Sequence, residues 1–198
     1  MRRYARPFLA VLAVVAAALF ACVGPAGARP TADEIAPPLP VIAPTQTNWQ
    51  PKFPSPYDQT RNSVTDAEIT AEGEMCQWYS AQYNTLMDQI DNVNVNIVRS
   101  NGDYGVDGNA ELADAVAANI DQSVEFLTPR VAALTIIPDF AGDMYFPLYQ
   151  GESFYRLWQQ LSNVSGGIRG RQPVWFYGPS LQHAQRWGSR INRSHVCR

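Results

Sequence analysis

His183, Arg186, Arg190 and Arg193 recur at intervals of three, four and three residues, the spacing that stacks side chains on one face of a helix. Guanidinium groups in such a row present planar forks of N–H donors suited to phosphate and carboxylate. The chemistry on offer is therefore anion binding. The surrounding charge sharpens this. Residues 153–198 carry seven arginines and no acid, net +7, whereas residues 58–152 carry sixteen acids against Arg61, Arg99 and Arg130, net −13. Two uses of the arginines follow. They pair internally with an acidic first helix bearing Asp66, Glu68, Glu72 and Glu74, or they hold an external anionic partner: an envelope protein, an anionic lipid head or a wall polymer. A net charge of −3 argues against nucleic acid as that partner.

Bond-breaking chemistry has little support. The chain lacks HExxH, GxSxG, a phosphate loop and a dinucleotide fingerprint. Ser180, in Gly178-Pro179-Ser180-Leu181-Gln182, misses the second glycine of a nucleophile elbow. His183 and His195 are the only imidazoles, and neither has an identifiable nucleophile beside it. Glu72 and Glu74, two apart, do not share a helix face.

One segment has metal-ligand character. Asp103, Asp107, Glu111 and Asp114 fall at the first, fifth, ninth and twelfth places of a calcium-loop pattern, with Gly108 at the sixth. Gly105 stands where the third oxygen ligand belongs, and Asp114 replaces the bidentate Glu. The competing reading is a turn between antiparallel helices, with Asp107 or Asn109 capping the second.

The elements that must position these residues are mostly helical. Thr65 followed by Glu68 is a capping box. Cys76, Tyr79, Tyr83, Leu86, Ile90, Val93 and Ile97 then alternate at three and four, a heptad seam. Ser100-Asn101-Gly102 stops that helix. A second helix is expected from about 109 to 137, with Leu112, Val116, Ile120, Val124, Leu127, Val131 and Leu134 on one face. Pro129 should kink or break it near Leu127. A third covers about 151 to 164 with Phe154, Leu157, Trp158 and Leu161 inward, ended by Gly166-Gly167 and Gly170. Trp175-Phe176-Tyr177 reads as extended. A fourth helix starts at Pro179 and turns Leu181, Ala184, Trp187 and Ile191 inward. The fold class is all-α, a bundle of four to five helices over residues 65–198.

The N-terminus indicates export. Arg2, Arg3 and Arg6 precede an uncharged apolar run from Phe8 to Val23, followed by Gly24-Pro25 and Ala26-Gly27-Ala28. That is the layout of a signal peptide cleaved after Ala28. Leu19-Phe20-Ala21-Cys22 offers an alternative, lipidation at Cys22 and a membrane tether. Cleavage after Ala28 leaves two cysteines, Cys76 and Cys197, 121 residues apart, expected to form a structural disulfide in an oxidising compartment. Residues 29–64 carry eight prolines and read as an extended or disordered spacer between envelope and domain.

Signal peptide, proline spacer, helical domain and the Cys76–Cys197 tether together resemble the small exported helical proteins of actinobacteria. The resemblance implies residence in or outside the envelope and no specific activity. The expected function is therefore non-catalytic binding of an anionic partner through the basic C-terminal helix, with no cofactor other than calcium at the loop above. The alternatives are a bundle that carries a lipid or other apolar molecule near the Pro129 kink, and a hydrolase built around His183.

Overall fold

Thr65 opens the first helix. Its hydroxyl accepts from the Glu68 N–H at 3.3 Å, and the Glu68 carboxylate accepts from the Thr65 N–H at 2.6 Å, so two donors with no partner inside the helix are satisfied reciprocally. The computed structural model describes residues 34, 36–46, 48–51, 64–106, 108–134, 137–138, 144–172 and 176–198. The expected signal peptide, Cys22, the prolines at 54 and 56, Asp107 and Trp175 lie outside the described residues.

Helix α1 (Asp66–Trp78) passes through a π-helical segment, Tyr79–Tyr83, into α2 (Asn84–Arg99), making one continuous rod. The heptad seam faces inward: Cys76, Tyr83, Leu86, Ile90, Val93 and Ile97 are all buried. The rod stops where expected, with Asn101 and Gly102 both at positive φ and the Gly102 N–H bonded to the Ile97 carbonyl at 2.8 Å. Helices α3 (Asn109–Ala133), α4 (Gly151–Arg169) and α5 (Leu181–Ser194) complete four rods. α3 touches α1, α2 and α4, and α4 lies between α3 and α5. The Cys76–Cys197 disulfide, Cα–Cα 5.0 Å, closes the ring by joining α1 to the turn after α5. The described core is a helical bundle. No helix among the described residues is long and apolar enough to cross a membrane.

Three helix boundaries differ from the sequence reading. α3 does not break at Pro129 but runs on to Ala133, short of the expected 137. Pro129 lacks an N–H, and side chains serve carbonyls on either side of the gap: the Thr128 hydroxyl donates to the Val124 carbonyl at 2.7 Å and the Arg130 guanidinium to that of Phe126. Ile137, expected as the last helical residue, instead joins Pro138 in a two-residue ladder, antiparallel to Met144–Tyr145. α4 continues through Gly166-Gly167 to Arg169. Two internal glycines destabilise a helix by roughly 1–2 kcal/mol together. Val164 and Ile168, both fully buried, and the hydrogen bond from the Ser165 hydroxyl to Asp121 hold this turn in place. Finally, residues 176–180 form a π-helical turn kinked at Gly178 and leading into α5, where 176 and 177 were expected as extended and the helix as starting at Pro179.

The described part of the proline-rich segment, residues 36–46 and 48–51, has no regular secondary structure and is laid onto the helices. Ala36 and Leu39 are buried in the core. Asn119 binds both sides of this strap: its amide donates to the Pro37 carbonyl at 3.0 Å and its oxygen accepts from the Leu39 N–H at 3.1 Å. Gln89 donates to Pro37, Gln122 to Leu39, Gln82 to Pro40, and Gln77 both donates to and accepts from the Thr45 backbone. Proline has no N–H to pair its segment in a ladder, so the carbonyls along it need donors from elsewhere. A row of side-chain amides supplies them. At the far end Trp49 packs on Gly73 and donates to the Val196 carbonyl at 3.1 Å, beside the disulfide. At least residues 36–46 and 48–51 thus belong to the helical domain rather than to a free spacer.

Candidate functional site

α5 has an apolar inner face and a basic outer one. Leu181, Ala184, Gly188 and Ile191 are buried, while His183, Arg186, Arg190 and Arg193 are all exposed. The inner face approaches the π-helical segment so closely that a β-carbon on Gly188 would overlap the Tyr83 ring. The Tyr79 hydroxyl donates to the Gly188 carbonyl at 2.8 Å, and the Tyr79 and Tyr83 rings stack at 4.6 Å. Burial pushes the Tyr79 phenol up to about 12, with the Arg198 charge pulling the other way. Both tyrosines therefore act as neutral hydroxyls that seat α5.

On the outer face, Arg190 lies 4.9 Å and Arg186 5.9 Å from the centroid of the half-buried Trp187 ring, close enough for cation–π attraction. Two guanidinium groups thus flank one aromatic edge, with Arg193 a turn further on. Among the described residues none of the three makes an ion pair. Asp91 of α2 is an acid that α5 does touch, and it accepts from the Gln185 amide at 3.2 Å rather than from an arginine.

The other arginines of the basic C-terminal half behave differently. Arg156 reaches Glu152 at 3.7 Å. Arg169 donates through Nε to Asp121 at 2.8 Å, and Arg171 donates to both oxygens of Asp114 at 2.9 Å. Glu74 is taken by Arg130 at 2.7 Å. Internal pairing thus exists, but it joins α3 to α4 and its C-terminal turn, and α1 to α3.

Glu72 was expected on the acidic surface of the first helix. It is 0 % exposed, one turn ahead of Cys76 on the core seam, and neither carboxyl oxygen has a hydrogen-bond partner among the described residues. Burial raises its pKa well above the ordinary carboxylate range, so it sits in the core as a neutral acid. A charged residue at a seam position follows the period but not the polarity of the pattern, and only the period could have pointed to it.

The residues of the calcium pattern are employed singly. Asp103 accepts from the Gly105 N–H at 2.7 Å in a local turn, Asp114 is bonded to Arg171, and Glu111 is exposed in the first turn of α3. Asp107 lies outside the described residues. Among the described residues no group of three His, Cys, Asp or Glu side chains stands close enough to hold a metal ion. The cap of α3 is Gly108, at φ 81°, without a side-chain bond, and Asn109 instead donates to the Ser100 hydroxyl and the Asp103 carbonyl. His183 has no hydrogen bond to a serine or an acid among the described residues, and Ser180 is buried. Beside Pro129 a groove of about 450 Å³ runs between α1 and the end of α3, open to solvent and bordered by Asp66, Glu74 and Arg130.

Comparison with protein-family models, curated proteins and solved structures finds no match for this chain.

Proposed function

We propose that this is an exported, non-catalytic protein that holds an anionic partner of the cell envelope against the basic face of α5. One observation carries the reading: Arg186, Arg190 and Arg193 stand exposed in a row without an acid among the described residues, while Arg156, Arg169 and Arg171 each have one. A surface of unneutralised guanidinium groups raises the local concentration of anions and binds phosphate or carboxylate in fork geometry. The Cys76–Cys197 disulfide agrees with an oxidising compartment, and the N-terminal pattern of residues 1–28 supports export. An apolar carrier would need an enclosed space, whereas the groove beside Pro129 is open and carries the Arg130–Glu74 ion pair.

The test is co-sedimentation of the full chain with phosphatidylglycerol vesicles and retention on a polyphosphate matrix, with phosphatidylcholine vesicles as the neutral reference. Binding to an anionic probe should weaken steeply with salt. It should fall at least tenfold in an Arg186→Gln/Arg190→Gln/Arg193→Gln variant of unchanged helical content. Equal binding by that variant, or no preference for the anionic probes, contradicts the reading.

A further inference from the structure

A second feature lies at the C-terminal end of the same helix. Where the last turn of α5 meets the π-helical segment, a pocket of about 230 Å³ opens. This is below the roughly 300 Å³ at which drug-sized sites begin, so it suits one small group. Its walls are Tyr79, Ser80 and Asn84 from the rod, Asn192 from α5, and His195 and Arg198 from the turn beyond. No Asp or Glu lines it. The polar side chains are a guanidinium, an imidazole, two amides and two hydroxyls, which together offer donors from two facing stretches of chain.

The charge of Arg198 is not spent inside the lining. Its guanidinium touches the Asn192 side-chain oxygen at 3.3 Å and the His195 ring at 3.5 Å, both groups without negative charge. Its field reaches the opposite wall, where it pulls the Tyr79 phenol against the upward push of burial. A cation near a helix C-terminus has a simpler use, to offset the macrodipole. That end is worth only about half a negative charge, and Arg193 already stands in the last turn of α5.

The pocket is also rigidly held. The disulfide pins Cys197 to α1, Trp49 of the strap bonds the neighbouring Val196 carbonyl at 3.1 Å, and the Tyr79 hydroxyl anchors α5 at Gly188. The opposite wall is the wide π-helical turn, a form that costs stability relative to a plain α-helix and recurs at functional sites. A backbone held in place around the pocket lowers the entropic cost of binding a small anion there.

We propose that this pocket is a phosphate subsite, receiving one phosphate group of the anionic partner that the α5 face draws in, with Arg198 and His195 facing its oxygens and Ser80, Asn84 and Asn192 completing the donor set. Donors facing each other across the pocket from two chain segments can be shared among the three acceptor oxygens of a phosphate, where a carboxylate offers only two. The inference rests on the reading of α5 as the anion-binding helix, and it narrows the partner to a phosphate-bearing one.

The experiment is a titration of the isotope-labelled full chain with glycerol 3-phosphate, and separately with phosphatidylglycerol vesicles. Readouts are the Asn84 and Asn192 side-chain amides and the His195 ring resonances. The expected result is saturable shifts centred on these groups, weakened at least tenfold by Arg198→Gln and by Asn84→Leu, which fills the pocket without touching charge. Both positions are exposed, and circular dichroism checks that the fold is kept. A pocket response to glycerol 3-phosphate supports the proposal with a soluble or polymeric phosphoester as source. A response to vesicles alone, abolished by Arg198→Gln, supports it with a lipid head group as source. Shifts confined to Arg186, Arg190 and Arg193 and indifferent to both pocket variants overturn the subsite while leaving the α5 face intact. No response at the pocket to either probe overturns it as well. If instead the triple arginine variant keeps its vesicle capture, the face reading fails, and the glycerol 3-phosphate titration still decides the pocket.

Discussion

Helices α4 and α5 come from the same arginine-rich end of the chain and each buries an apolar face, yet their arginines are used in opposite ways. Arg156 pairs with Glu152 one turn back in α4 itself, and Arg169 and Arg171 reach across to Asp121 and Asp114 of α3. α5 is seated through its uncharged side, by Leu181, Ala184 and Ile191 in the core, the close Gly188–Tyr83 contact and the disulfide just beyond it. Its arginines are left to solvent. One charge pattern in the sequence thus serves two purposes, and the difference lies in whether an acid stands opposite. α3 supplies Asp114 and Asp121 opposite α4, while the acid that α5 meets on α2, Asp91, is occupied by Gln185.

The disulfide lies just beyond α5, so reducing the Cys76–Cys197 bond should have the largest effect on stability, felt first in α5. A closed loop of 121 residues is worth about 4–5 kcal/mol on the chain-entropy account. Denaturant unfolding of a Cys76→Ser/Cys197→Ser variant should show a loss of that order, and amide exchange should rise first in α5 and last in α3 and α4. Uniform exchange across the four rods would break the contrast.

Glu72 provides the next test. Were it paired with an α5 arginine, its pKa would be lowered and stability would rise with pH. Buried without a partner, its folded pKa is raised. The folded state then holds a proton that the unfolded chain releases above pH 4.5. Stability from this group is fully present below that pH and declines as pH rises toward the folded pKa, by up to about 1.4 kcal/mol per pH unit. Glu72→Gln should flatten that part of the pH profile and raise stability at pH 7. A profile that steepens upward in the wild type and collapses in the variant would place a cation beside Glu72.

Gly188→Ala should cost about 1–3 kcal/mol by overpacking, since the new methyl meets the Tyr83 ring, while Tyr83→Phe, which removes only the hydroxyl, should cost about 1 kcal/mol or less. The smallest effect belongs to α4. Arg169→Gln breaks a half-exposed pair and should cost about 0.2–1 kcal/mol, shrinking in high salt, with no change in capture of anionic vesicles.

Much of this architecture was legible because it depends on periodicity and on local backbone chemistry. The seam from Cys76 to Ile97, the Thr65–Glu68 box, the Asn101-Gly102 stop and the disulfide all follow from residue type and spacing. The helix boundaries missed at Pro129 and Gly166-Gly167 follow from propensity rules that side-chain bonds override, within α3 through Thr128 and Arg130 at one and across to α3 through Ser165 at the other. The docked strap was hidden for a different reason. Gln77, Gln82, Gln89, Asn119 and Gln122 are ordinary wet-face residues by polarity, and only the fold shows that their amides serve the carbonyls of a proline-bearing chain. Of the candidate site, the α5 row was visible as spacing, but its freedom from acids was not, because the pairing of Arg156, Arg169 and Arg171 depends on which helices become neighbours. The pocket at Asn84 and Arg198 joins residues 114 positions apart, and no local pattern links them.

The most direct test of the central claim is vesicle co-sedimentation of the Arg186→Gln/Arg190→Gln/Arg193→Gln variant beside an Arg156→Gln/Arg169→Gln/Arg171→Gln variant with the same loss of charge. The account predicts that the α5 variant loses capture of phosphatidylglycerol vesicles at least tenfold with its unfolding midpoint unchanged, while the α4 variant keeps capture and is less stable. Equal loss of capture in both variants would show that net charge alone attracts the anion, and would contradict the assignment of binding to the α5 face.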